Sequence, residues 1–187
     1  MEPFNIVFSL FGLLLGLSLA KVLTGFERAL TLRPRIHMGW LTPLLGVFVM
    51  LDLTSFWNGA WQARDFIRPG YGDLFISLIV TGIYYLAAST VFPPAGTKQE
   101  EFDRHYFENG RWILLAIGAC NLAVFGWQYW LQRHHLPLTW WIAVPSYFAL
   151  LIIGLITRSK RGSIACLVAL IGIYLFLAFK TLVMWEG

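Results

Sequence analysis

The sequence has little charge. Of its 187 residues, 14 are Lys or Arg and 10 are Asp or Glu, so that only 13% are charged. A soluble domain carries roughly 25%, and half of that leaves too little polar surface to coat a soluble particle. Hydrophobic residues make up 58% of the chain, and the mean hydropathy is +0.65. These values exclude an ordinary soluble domain and indicate that the solvent of the protein is lipid.

Cysteine is scarce, and the common chemical motifs are absent. Cys120 and Cys166 lie inside apolar segments, where thiols act as small hydrophobic side chains. The histidines, among them the adjacent pair His134 and His135, lie at segment ends, which excludes a mid-helix pair of haem ligands. The sequence has no zinc signature, phosphate loop or nucleophile elbow. It therefore predicts no metal and no cofactor, and an enzyme acting on lipid is only a third alternative.

Six hydrophobic segments account for most of the chain. They cover residues 4–25, 41–63, 73–92, 111–131, 139–157 and 163–185. Each is close to the ~20 residues that cross a hydrocarbon core as a helix, and none alternates as barrel strands do. The sequence predicts an all-α bundle of six transmembrane helices in one membrane-embedded domain. The second half of the 93–110 connection is predicted to form either a short interfacial helix or an extension of helix four.

The loops differ in basic residues. Loops one, three and five contain Arg28, Arg33, Arg35, Lys98, Arg104, Arg111, Arg158, Lys160 and Arg161, whereas the others contain Arg64, Arg68 and Arg133. Because basic loops stay in the cytoplasm, this bias predicts both termini outside. The chain has the general look of a small bacterial inner-membrane protein, and we expect it in that membrane. The bias also explains the net charge of +4 without nucleic acid as a partner. Tryptophans crowd the predicted outer ends, which indicates interfacial anchoring or, alternatively, a partner or ligand there.

Asp52 lies near the middle of the second segment. An ionised Asp at a helix centre costs about 2.5–3.5 kcal/mol on insertion, so the side chain is expected to face the bundle interior, meet a partner or become neutral. Lys21 is a remote candidate partner. The stretches 52–64 and 121–133 share the pattern [DN]-L-x2-F-x4-W-x2-R, which aligns Asp52 with Asn121. This similarity predicts a repeated helical hairpin, unless it is chance.

If helices two and four face each other, their polar residues form a seam through the bundle. The predicted seam residues are Asp52, Ser55, Asn58, Gln62, Asn121 and Gln128. One hypothesis is a transporter or channel for a small ion or solute, with Asp52 as the ionisable group. The other is a non-catalytic membrane subunit, sensor or scaffold that binds a partner protein or lipid, with the seam only joining helices. Interhelical hydrogen bonds average about 0.6 kcal/mol, which alone does not offset a charged Asp.

Small residues recur every fourth position in the first segment, at Gly12, Gly16 and Ala20. Such a stripe allows close approach of another helix. The sequence leaves open whether that helix belongs to the same chain or to a second copy. The predicted partners are therefore the lipid bilayer and either a homo-oligomer or another membrane protein.

Overall fold

The protein is a bundle of six α-helices in a computed structural model that describes residues 3–32, 39–62, 64, 70–94, 101–132 and 138–185. The helices are α1 Pro3–Leu32, α2 Leu41–Gln62, α3 Tyr71–Thr90, α4 Glu101–Gln132, α5 Leu138–Ile156 and α6 Lys160–Trp185. All six are long and apolar enough to cross a membrane, and the described part of the chain contains no strand. The predicted six-helix bundle is thereby confirmed.

Local chemistry accounts for several helix ends. The Gly162 N–H donates to Ser159 Oγ at 3.1 Å, which caps the start of α6. Pro43 lies in the first turn of α2. A backbone N–H there has no acceptor within the helix, so the N–H that proline lacks costs no hydrogen bond. Pro93 and Pro94 follow α3 and cannot continue it. These residues place the helix ends close to the limits of the apolar segments.

The fourth helix is longer than its apolar segment. It begins at Glu101 rather than at residue 111 and has 32 residues, or roughly 48 Å at 1.5 Å per residue. Hydropathy locates the part of a helix that lies in lipid, but it does not show where the helix begins. The second half of the 93–110 connection is thus an extension of α4, and a separate interfacial helix is wrong. Similarly, α1 continues to Leu32, beyond the predicted residue 25.

The second helix is the centre of the bundle. It packs against α1, α3, α4 and α6, and half of its spanning segment is buried, against 28% or less in the other five described helices. Leu41, Leu45, Phe48 and Val49 have at most 1% of their surface exposed. A polar side chain on the inner face of α2 therefore has protein around it on several sides.

The starts of α2, α4 and α6 lie together with the ends of α1 and α3, and we call this the basic end. Its described basic residues are Arg28, Arg104, Arg111, Arg158, Lys160 and Arg161. Here Thr42 Oγ1 donates to the carbonyl oxygen of Phe102 at 2.8 Å, and Asp103 forms an ion pair with Lys160. These contacts join the α4 extension to α2 and α6. Arg33, Arg35, Arg68, Lys98 and Arg133 lie outside the described residues.

At the opposite end, which we call the tryptophan end, aromatic rings pack across neighbouring helices. Phe8 of α1 contacts Trp57 and Trp61 of α2, with ring centroids 5.4 and 5.6 Å apart. Trp140 of α5 stacks on Tyr129 of α4 at 6.0 Å. The aromatic residues that are predicted to lie at one side of the membrane therefore also hold neighbouring helices together, α1 with α2 and α4 with α5.

Most of the small-residue stripe of α1 does not pack inside the chain. A Cβ at Gly12 would lie 3.0 Å from the Trp57 ring, but nothing lies within 4 Å of one at Gly16, and Ala20 is exposed. Internal packing is therefore wrong for Gly16 and Ala20, because these residues face away from α2 and α3. A homo-oligomer through this stripe stays a prediction. The close internal approach is at Gly25, where a Cβ would overlap the Phe92 ring.

Replacing Gly25 by Ala should destabilise the bundle. The added methyl group forces the Phe92 ring away, and overpacking of this kind costs about 1–3 kcal/mol. Gly16→Ala on the same helix is the matched control, because its methyl group meets nothing within 4 Å. The free energy of unfolding in mixed micelles would be measured for both. Equal stabilities of the two variants would contradict the close approach at Gly25.

Candidate functional site

Asp52 lies at the middle of α2 and is 1% exposed. Its carboxylate accepts hydrogen bonds from three tyrosines: the Tyr84 hydroxyl at 2.7 Å, the Tyr147 hydroxyl at 3.2 Å and the Tyr174 hydroxyl. Asn121 Nδ2 adds a fourth donor, 2.9 Å from Oδ1. We call these five residues the Asp52 network. Its donors come from α3, α4, α5 and α6, so that five helices meet at one carboxylate.

The number of donors explains how an acid can lie in the centre of the bundle. An ionised carboxylate has about four lone-pair sites and no proton to donate, and the network supplies four donors. A buried charge is tolerated where its hydrogen-bonding capacity is satisfied. Hydrogen bonds to an ionised group are also stronger than neutral ones. The hydrogen-bonding capacity of Asp52 is therefore satisfied by three tyrosines as well as by Asn121, the partner that the sequence predicts.

The orientation of the Asn121 amide follows from its surroundings. Its Nδ2 lies 2.9 and 3.2 Å from the two oxygens of Asp52 and 3.2 Å from the carbonyl oxygen of Ile117. Carboxylate and carbonyl oxygens only accept hydrogen bonds, so they select the NH₂ group of the amide. Its two hydrogens are used on this side.

Neighbouring aromatic rings hold the tyrosines in place. Phe56 packs on Tyr84 with ring centroids 4.9 Å apart, and Phe125 packs on Tyr147 at 6.2 Å. Phe56 and Phe125 occupy equivalent positions in the proposed repeat, and each contacts the network tyrosine of the following helix. This correspondence agrees with a repeated hairpin, which stays a prediction because Arg133, the last residue of the second copy, lies outside the described residues.

A cavity of about 490 Å³ lies beside the network, toward the tryptophan end. Its volume falls within the roughly 300–1,000 Å³ of small-molecule sites. Five of the six predicted seam residues line it: Ser55, Asn58, Gln62, Asn121 and Gln128. Asp52 does not line the cavity, but it is hydrogen-bonded to Asn121, which does. The predicted seam residues therefore lie along a cavity that has both polar and apolar walls, and the buried acid lies behind one of them.

The seam does not continue as a polar path toward the basic end. On that side of the network the centre is filled by Leu45, Phe48, Ile113 and Leu170, each with at most 1% of its surface exposed. These side chains are apolar and offer no hydrogen bond to a passing solute. In this conformation the cavity therefore ends at the Asp52 network.

The three network tyrosines were missed by reasoning from the sequence. Tyrosine in a membrane protein normally lies at an interface, whereas Tyr147 lies at the centre of α5. A buried tyrosine hydroxyl needs a hydrogen-bond partner, so a mid-span Tyr is a signal for a polar contact. Lys21, the remote candidate partner of Asp52, is instead exposed and is not bonded to the carboxylate.

Metal-ligating side chains do not cluster in the part of the chain that the structure describes. His134 and His135 lie outside the described residues. Among the residues that the structure does describe, no group of three or more His, Cys, Asp or Glu side chains could hold a metal ion. Comparisons of the chain with protein-family models, curated proteins and solved structures found no match. The features that bear on function are accordingly the Asp52 network and the cavity.

Removing one donor from the network should destabilise the protein. Tyr174→Phe keeps the ring but leaves a buried carboxylate with one acceptor unsatisfied, which costs about 1–3 kcal/mol. Tyr71→Phe is the control, since Tyr71 is 83% exposed. Unfolding in mixed micelles would measure both changes. In a double-mutant cycle with Asp52→Asn the two effects should be non-additive, and strict additivity would contradict a direct bond.

Proposed function

We propose that this multi-pass membrane protein is a transporter or channel for a small ion or polar solute. In this proposal the cavity receives the solute from the tryptophan end, and Asp52 is the ionisable group that responds to it. The observation that carries the proposal is the double role of Asn121, which lines the cavity and donates to Asp52. Ionisable residues inside membrane bundles often mark ion or solute pathways.

The network offers a physical means of coupling. An ionised Asp52 accepts all four donors, whereas a protonated one would itself donate and could not keep the same set of bonds. The donors lie on four helices, so a change in the charge of Asp52 would act on the packing of α3, α4, α5 and α6 together. Transport would also require the apolar centre below the network to open. Mid-membrane sites with alternating access on their two sides work in this way.

The second candidate is a non-catalytic membrane subunit, sensor or scaffold. It is favoured by the exposed aromatic residues of the tryptophan end, among which Trp61 is 49% and Trp130 is 73% exposed. Such rings could contact a partner protein or lipid head groups. The exposed stripe at Gly16 and Ala20 would suit a second copy of the chain. In this case the Asp52 network only fixes the arrangement of the helices.

We further propose that the protein lies in a bacterial inner membrane, with the basic end in the cytoplasm and both termini outside. The support is the bias of the described loops, because Arg158, Lys160 and Arg161 occur at the basic end and Arg64 at the other. Basic residues near the ends of spanning helices keep their loops on the cytoplasmic side.

Cysteine labelling in intact cells would test this orientation. A membrane-impermeant maleimide should label Thr139→Cys at the tryptophan end and should label Ser159→Cys only after the cells are opened. Both positions are exposed, and the native Cys120 and Cys166 are buried. The unaltered protein is the background control. Labelling of Ser159→Cys in intact cells would reverse the proposed orientation.

Flux through liposomes containing the purified protein would test transport. A panel of protons, small ions and small polar solutes is applied first to the unaltered chain. Asp52→Asn should reduce the observed flux to background, because the variant keeps the shape of the side chain but cannot carry the charge. Glu108→Gln, an exposed acid at the basic end, is the control and should leave flux unchanged.

Folding of both variants is checked by their elution as single species and by their unfolding midpoints. If a folded Asp52→Asn protein carries the same flux as the unaltered chain, transport centred on Asp52 is wrong. If no member of the panel crosses, the subunit or scaffold interpretation is favoured instead.

A further inference from the structure

We infer that the cavity binds a small organic ammonium ion, whose N–H group donates to the carbonyl oxygen of Asn121. This inference rests on the proposed function and deepens it by naming the class of solute. It follows from the orientation of one amide, the carboxyl group behind it and the rings around it.

The first argument is the orientation of the Asn121 side chain. Its Nδ2 is directed at Asp52 and at the Ile117 carbonyl oxygen. The opposite side of the amide, its carbonyl oxygen, is left for the cavity that Asn121 lines. A carbonyl oxygen can only accept a hydrogen bond. The bound solute should therefore present a donor at this wall of the cavity.

The second argument is charge. Because the Asn121 NH₂ group donates to the carboxyl group of Asp52, the amide is polarised and its carbonyl oxygen becomes a better acceptor. Among the described residues that line the cavity, none is a lysine or arginine. An anionic solute would therefore meet no basic side chain there. A cation is favoured over a neutral molecule, although a neutral molecule could make the same hydrogen bond.

The third argument is the apolar part of the lining. Phe11, Phe56, Phe125 and Trp127 border the cavity. The faces of aromatic rings attract cations and also suit short alkyl chains. A bare Mg²⁺ or Ca²⁺ ion would instead need about six oxygen ligands and would leave most of the ≈ 490 Å³ unfilled. A protonated amine with a short alkyl group matches both parts of the lining.

The charge requirement can be tested with three molecules of nearly one size: butylammonium, 1-butanol and butyrate. Binding to the purified full chain would be measured by calorimetry at pH 7, where an alkylamine is protonated as a lysine side chain is. Butylammonium should bind about tenfold or more tightly than 1-butanol, because its hydrogen bond to Asn121 is charge-assisted. Butyrate should bind most weakly. Equal or tighter binding of 1-butanol or butyrate would overturn the inference.

Two further probes separate the contributions. Butyltrimethylammonium keeps the charge but lacks an N–H group, so it should bind more weakly than butylammonium. If it binds equally well, donation to Asn121 is wrong. Sodium and magnesium chloride are added as competitors at matched ionic strength. Displacement of butylammonium by either metal ion alone would assign the site to a metal cation and overturn the inference.

The location is tested with two adjacent residues of α2. Ser55→Leu places a larger side chain in the cavity and should lower butylammonium binding about tenfold, the loss expected for one blocked charge-assisted contact. Thr54→Leu is the matched control, because Thr54 is exposed but does not line the cavity. Neither side chain belongs to the Asp52 network, so folding should survive in both. Equal losses in the two variants would place the binding elsewhere and overturn the inference.

The flux assay distinguishes failure of this inference from failure of the proposed function. If butylammonium binds as expected but neither it nor any other member of the panel crosses the liposome membrane, the assignment of the bound class is supported and transport is wrong. If a neutral or anionic solute crosses while butylammonium does not bind, transport is supported and the ammonium assignment is overturned.

Discussion

The structure depends on the burial of one carboxylate. Asp52 lies at mid-depth in the central helix with only 1% of its surface exposed, and its oxygens must therefore find donors within the protein. Tyr84, Asn121, Tyr147 and Tyr174 supply them from four other helices. In a lipid-embedded protein, where apolar side chains gain little by leaving lipid for each other, such directional contacts define which helix faces which. The arrangement of α2 to α6 is thus tied to the hydrogen bonds of a single side chain.

The same contacts give the site its asymmetry. Asn121 is bonded to Asp52 on one side and borders the cavity on the other, whereas the opposite side of the network is closed by Phe48 and Leu170. A solute entering from the tryptophan end would therefore meet the buried charge through an amide rather than directly. For the proposed transport function, this geometry would make the cavity sensitive to the charge of Asp52, and Asp52 sensitive to what the cavity holds. A purely apolar junction between the helices would have neither property.

The helices can be predicted from the sequence, but only part of the hydrogen-bonding network around Asp52 can. Six apolar segments of spanning length predict the six helices, and the aligned stretches at 52–64 and 121–133 predict the pairing of Asp52 with Asn121, which are 2.9 Å apart. The three tyrosines cannot be predicted from the sequence, because hydropathy treats a mid-span Tyr as one more aromatic residue. Only the rotation of α3, α5 and α6 in the folded bundle directs their hydroxyl groups inward. The stripe on α1 is only partly internal for a related reason, because Gly12 packs against Trp57 whereas the next two positions are exposed. Its spacing shows that Gly16 and Ala20 share a face, but spacing does not show which neighbour that face meets.

Stability alone is a poor explanation for Asp52. Replacing buried ionic groups by well-packed apolar side chains is often neutral or stabilising, because the desolvation of the charge offsets its attraction to partners. Interhelical hydrogen bonds in membranes are individually weak as well. A bundle that needed only cohesion could therefore join these helices with leucine and phenylalanine, as it does at Leu45 and Phe48. What an apolar centre could not provide is an ionisable group one amide away from a cavity, and that adjacency is the reason to favour a functional over a merely structural role.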